Sequence, residues 1–99
     1  MLFGLFGRKK PTEKELGQPI GEITHYFPHV KVGVIKITKG TLAIGETIYL
    51  KGHTTFFEQR IKSMQVNHKM VQQAKKGNET GVKLAKRVRR GDSVYKYEK

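Results

Sequence analysis

From Ile20 onward, short runs of alternating apolar and polar residues are separated by Gly, Lys-Gly and Gly-Asp punctuation. That texture predicts a small all-β sandwich or barrel. Ile20 to Phe27 makes a first strand, stopped near Pro28. Val30, Val32 and Val34 alternate inward, and Ile35 and Ile37 continue in the opposite phase. A phase change of this kind predicts a bulge or sharp bend near Val34-Ile35. Lys39-Gly40 starts a turn, because glycine takes positive φ without penalty. Leu42 and Ile44 point inward across a short connection, and Gly45 permits the next turn. Glu46 to Lys51 is a strand with Ile48 and Leu50 inward, followed by a loop over Gly52-His53-Thr54-Thr55. Phe56 to Val66 reads as one longer strand with Ile61 and Met64 in the core. Asn67 to Lys76 is irregular or briefly helical and tucks Val71 and Ala74 inward. Glu79 to Leu84 and Ser93 to Tyr97 complete the sheet, with Val88 anchoring the link between them. Outside the weak Asn67–Lys76 segment, no run carries a helical apolar stripe. Closing these strands into a barrel would remove the edges that invite aggregation.

Residues 1–19 lack any sustained period and read as a flexible N-terminal arm ahead of a single barrel domain over 20–99. Leu2, Phe3, Leu5 and Phe6 stand out in that arm as a docking element for a protein or a membrane. One short apolar anchor followed by Arg8, Lys9 and Lys10 binds membranes weakly, so docking on protein, or plain disorder, is the stronger reading. The same basic triplet follows the apolar run, whereas a secretory signal would place it before. With 99 residues the chain accommodates one domain. It has no cysteine, which fits a reducing compartment, and a cytoplasmic location is expected.

The balance of 20 Lys+Arg against 8 Asp+Glu gives a formal charge of +12. A folded domain this basic repels itself, which points to a polyanionic partner, with nucleic acid first. Lys83, Lys86, Arg87, Arg89 and Arg90 crowd one region. Lys75 and Lys76 precede the same strand, and Arg60 and Lys62 flank inward Ile61. These nine residues form the candidate RNA-contacting surface, of a kind that gives affinity without sequence reading and weakens with salt. A strand of about six residues spans roughly 20 Å, so Lys75-Lys76 and Lys86-Arg87 cannot grip one phosphate together. Phe56 and Phe57 are adjacent on a strand and must face opposite sides.

The chemistry of several enzyme classes is missing. No stretch has the Gly, four residues, Gly-Lys, Ser/Thr spacing whose backbone amides cradle nucleotide phosphates. The chain is expected to bind no GTP by itself. His25 and His29 are four apart, a spacing that suits a helix, but Pro28 lies between them and the surroundings are β-like. His53 and His68 are isolated, and Ser63 lacks a strand-to-helix elbow. No catalytic residue, metal or cofactor is expected, and the chain reads as a non-enzyme.

Four motifs recur in a fixed order: Gly40-Thr41-Leu42-Ala43-Ile44-Gly45-Glu46-Thr47-Ile48, Ser63-Met64-Gln65, Ala74 to Val82, and Val88-Arg89-Arg90-Gly91-Asp92. Over Ile20 to Tyr97 this order resembles the second, β-barrel domain of translational GTPases such as elongation factor Tu and initiation factor two, with the GTPase domain missing. The resemblance implies a closed six- or seven-stranded antiparallel barrel. It also implies a translation-factor-like binding module contacting RNA, either tRNA or the ribosome. An adaptor subunit docking through the apolar arm is the alternative. In elongation factor Tu the pocket for the aminoacyl end uses a Glu and an Arg around the strand matched by Ser63-Met64-Gln65. Neither residue is present there, and near Glu22 and Thr24 only one acidic group is retained.

Overall fold

The computed structural model describes residues 16–96. The candidate docking residues Leu2, Phe3, Leu5 and Phe6, and Tyr97 at the end of the last predicted strand, lie outside them. Within the described residues the chain is all-β, with ten strands. They are β1 (Gly21–Phe27), β2 (Val32–Ile37), β3 (Thr41–Ala43), β4 (Thr47–Lys51), β5 (Phe56–Arg60), β6 (Met64–Val66), β7 (Lys69–Met70), β8 (Gln73–Lys75), β9 (Glu79–Lys83) and β10 (Ser93–Lys96). Eight of them form one antiparallel sheet in the order β5-β4-β10-β1-β2-β9-β6-β7, and β3 pairs with β8.

The expected closed barrel is corrected to an open, curled sheet. Its two ends, β5 and β7, are not joined by hydrogen bonds. The curl has a covalent cause. β5 lies at one end of the sheet and β6 next to the other end, yet only Ile61-Lys62-Ser63 connects them. The four Cα–Cα steps from Arg60 to Met64 reach about 14 Å at most, so the sheet must bend round until its ends are neighbours. The predicted single strand from Phe56 to Val66 therefore breaks at this corner. Ile61 N–H donates to Glu46 O and Ile61 O accepts from Gly45 N–H, which holds this corner against the residues just before β4.

The core fills the concave side. Ile23, Ile35, Ile37, Leu42, Ile48, Leu50, Ile61, Met64, Val82, Leu84, Val88 and Val94 are all buried together. Ile48, Leu50, Ile61, Met64, Leu42, Ala74 and Val88 were expected there. The phase of β2 was not. Gly33, Ile35 and Ile37 face inward without interruption, and Val32 and Val34 face outward, half-buried. A glycine occupies the inward position because a Cβ at Gly33 would sit 2.7 Å from Leu84 Cδ1. The bulge expected near Val34-Ile35 lies instead on the partner strand, where the β1–β2 register shifts between Ile23 and His25.

The Asn67–Lys76 segment is not helical. Val66 pairs with Lys69, so Asn67 and His68 form a two-residue hairpin loop between β6 and β7. Both have positive φ, 54° and 66°, as a type I′ turn requires. β8 then pairs with β3 and sets Leu42 opposite Ala74, so the apolar connection over Gly40–Gly45 is itself part strand. Phe57 is buried at 6% and Phe56 exposed at 39%, on opposite faces as expected.

Among the described residues, one buried side-chain polar atom is unsatisfied. Thr80 is fully buried, and its Oγ1 has no hydrogen-bond partner. An unpaired buried hydroxyl costs about 1–3 kcal/mol. Thr80→Val keeps the branched shape that suits a strand and removes the stranded oxygen. We expect it to stabilise the chain by about 1 kcal/mol, read as a rise in Tm of several degrees. An unchanged or lowered Tm would show that the hydroxyl is satisfied in solution.

Candidate functional site

Two concavities lie near β1 and differ in chemistry. The first is an outward groove of about 540 Å³ over β2, β9 and β6. Its apolar wall is Phe27, Val30, Val32 and Val34, with Gln65 and Glu79 as polar neighbours. The register explains its flat floor. His25, Val34, Gly81, Gln65 and Met70 stand in one row across five strands. Gly81 at the centre of that row has no side chain to fill it, and a Cβ there would come within 3.3 Å of Val32 Cγ1. Phe27, Val30 and Met70 are exposed, an apolar surface that a lone soluble domain ordinarily avoids when contiguous.

The second is a basic cleft of about 450 Å³ at the β1 bulge, lined by Thr24, His25, Tyr26, Pro28, Arg87, Val88, Arg89 and Arg90. Buried Val88 pins the middle of the loop that brings the arginines there. Asp92, also buried, fixes its end. Arg89 N–H donates to Asp92 Oδ2 at 2.9 Å, and Asp92 N–H donates to Arg89 O at 3.0 Å. Gly91 turns the chain at φ 94° and donates its N–H to Ile23 O, while Ile23 N–H donates to Asp92 O. The loop is thus laced to the strand beside the bulge.

The nine basic residues expected as one surface are all exposed, and the fold disperses them. Arg87, Arg89 and Arg90 share the cleft. Lys86 lies over the Phe57 ring, 5.9 Å from its centroid, at the outer range of a cation–π contact. Lys83 ends β9, Arg60 ends β5, and Lys62 sits on the corner after it. Lys75 and Lys76 belong to the β8 end, beyond the opposite end of β9. Sequence reasoning missed Thr24 and His25 as members of the cleft. The signal was available: inward Ile23 and half-buried Tyr26 are three apart, a spacing that a regular strand does not allow. Among the described residues, no group of three or more His, Cys, Asp or Glu could hold a metal ion. None of their helices is long and apolar enough to cross a membrane.

Comparison with solved structures gives the fold a precedent. The C-terminal domain of a Geobacillus thermoleovorans U32 peptidase superposes with a TM-score of 0.76, covering 91% of this chain and 100% of that one at 13% identity. Its selenomethionine variant superposes with a TM-score of 0.73 at 12% identity. At those identities the likeness is one of fold. In sequence, the chain is 47% identical over 77 residues to an uncharacterized protease of Methanocaldococcus jannaschii, a match that spans 77% of this chain and 19% of that protein. It is 28% identical over 103 residues to a collagenase of Porphyromonas gingivalis, across 85% of this chain and 28% of that protein. The chain therefore spans about a fifth to just over a quarter of the length of these relatives. No protein-family model matches it.

These similarities correct the expectations drawn from the translational GTPases. The fold neighbours are peptidase C-terminal domains, and the relatives are named protease and collagenase. The translation-factor-like module contacting RNA and the non-enzyme reading are both corrected by these relatives, which carry the names of proteases. The error has a physical source. The quoted motifs are turn glycines and inward apolar residues, which any small curled sheet of similar strand length requires.

Proposed function

We propose that this chain is a domain of a U32-type peptidase and that its outward groove holds an extended segment of polypeptide. The carrying observation is the 47% identity with a protease over three-quarters of the chain. The groove supplies the physical reason. An extended peptide presents alternate side chains to one side, and a flat floor at Gly81 between Val32, Val34 and Phe27 accepts them without a pocket of fixed shape. Gln65 and Glu79 leave polar groups at its margin for the peptide backbone.

The test is retention of unfolded casein by the immobilised chain. Saturable retention is expected, with at least a fivefold loss of affinity in Val30→Asp. Val30 is 56% exposed, so this substitution charges the groove without disturbing the core. Gly81→Val, which raises the floor, should act in the same direction. Failure to retain casein, or retention indifferent to both substitutions, would remove the groove from the reading.

A further inference from the structure

The basic cleft goes beyond that reading, because nothing in polypeptide binding calls for three arginines at a strand bulge. The geometry points to a phosphate-binding site formed by Arg87, Arg89 and Arg90 across the β1 bulge from Thr24 and His25. Three observations carry it.

First, the cationic side chains are held from a fixed base. Arg87 and Arg89 flank buried Val88, and the Arg89 and Asp92 backbones close a turn on the Asp92 carboxylate. That turn is bonded to Ile23 on β1 through both Gly91 N–H and Asp92 O. The loop backbone is thus already ordered, and ligand binding need order only the exposed side chains.

Second, no carboxylate among the described residues offsets the charge. None of the residues lining the cleft is acidic, and among the described residues the three guanidiniums have no carboxylate partner. The nearest acid in sequence, Asp92, is buried and committed to the Arg89 N–H. Like charges gathered this way repel one another, and an anion relieves that repulsion.

Third, the opposite wall adds polar groups of the right kind. The shifted register at Thr24 places Thr24, half-buried with its Oγ1 donating to Val34 O at 3.4 Å, and His25 on the same cleft. His25 Nδ1 lies 3.2 Å from Thr24 O, and the ring sits against Phe27 with centroids 5.0 Å apart. With Nδ1–H donated to Thr24 O, Nε2 is left for a ligand.

Phosphate fits this set better than a lone carboxylate. A phosphomonoester carries roughly −1.5 to −2 near neutrality and has three acceptor oxygens, whereas a carboxylate brings one charge and two oxygens. Guanidinium forks match phosphate oxygens in pairs.

The experiment is a titration of the whole chain with inorganic phosphate at constant ionic strength, followed through its backbone amide and arginine Nε–H resonances. Saturable shifts are expected at Arg87, Arg89, Arg90 and His25. Combined Arg87→Gln, Arg89→Gln and Arg90→Gln should weaken binding at least tenfold, while Lys75→Gln with Lys76→Gln should leave it within twofold. All five positions are exposed, and amide dispersion verifies the fold of each variant. Methyl phosphate and dimethyl phosphate separate the sources: tighter binding of the first assigns a phosphomonoester, equal binding a phosphodiester, and both support the site. Shifts that do not saturate, equal losses in the arginine and lysine variants, or acetate binding as tightly as phosphate would each overturn it.

Discussion

Ile35→Ala should lower stability by about 3 kcal/mol, and Val34→Ala by about 1 kcal/mol or less. The two residues are adjacent and similar in size, so the contrast isolates the phase of β2. Ile35 is fully buried in the main core, opposite Ile23 on β1 and Thr80 on β9. Truncating a buried Ile forfeits its transfer energy and leaves a cavity that packed neighbours fill only in part, which costs about 2–5 kcal/mol. Val34 is half-buried on the outer face, where water takes the place of the lost methyl groups. In a domain of this size about 3 kcal/mol lowers Tm by roughly 12–24 °C. Equal losses at the two positions would show that β2 is twisted through its middle, as the Val30-Val32-Val34 alternation suggested.

Gly52→Ala should cost about 3 kcal/mol, through a contact between segments forty residues apart. Gly52 follows β4 and donates its N–H to Thr55 O. An added Cβ would collide with Asp92 Oδ1 and come within 2.5 Å of Asp92 Cγ. The carboxylate cannot retreat freely, because it is buried and accepts the Arg89 N–H. Either the strands part or Asp92 swings away and abandons that donor, and both are expensive. A double-mutant cycle checks the mechanism. With Asp92→Ala already in place the obstacle is gone, and Gly52→Ala should then cost about 1 kcal/mol or less. Additive losses would mean that the glycine is needed for its own backbone and not for the neighbour it admits. The same substitution should loosen the arginine loop and weaken phosphate binding.

The strands were legible wherever inward positions carried side chains. β9 and β10 follow the alternation closely, and Ile48, Leu50 and Val88 sit where the pattern put them. β2 was misread because its inward partner to Ile35 is Gly33, which is silent to any hydropathy pattern. The hairpin at Asn67-His68 was hidden because a histidine stands where such loops usually carry glycine, at φ 66°. The break after Arg60 was encoded in the odd spacing of Ile61 and Met64, both buried, which one straight strand cannot place on the same side. The open edge was not encoded locally at all. Whether β5 meets β7 depends on the curl of the whole sheet, and no single run of residues carries that information.

Of the two concavities, the sequence showed only materials. The arginines of the cleft were visible as a cluster, but their partners Thr24 and His25 lie more than sixty residues earlier and meet them only through the Ile23 hydrogen bonds. The groove was invisible for the same reason as the β2 phase: valines assigned to the interior are its wall, and a glycine is its floor.

The place of β10 in the sheet bears on how the protein is made. β10 is the last described strand in chain order, yet it lies between β4 and β1, near the middle of the sheet. Until residues 93–96 have left the ribosome, β1 and β4 each lack a neighbour on one side, and two margins of unpaired amides face water or a chaperone. Nascent chains of this protein should therefore become resistant to protease late and abruptly, and not strand by strand.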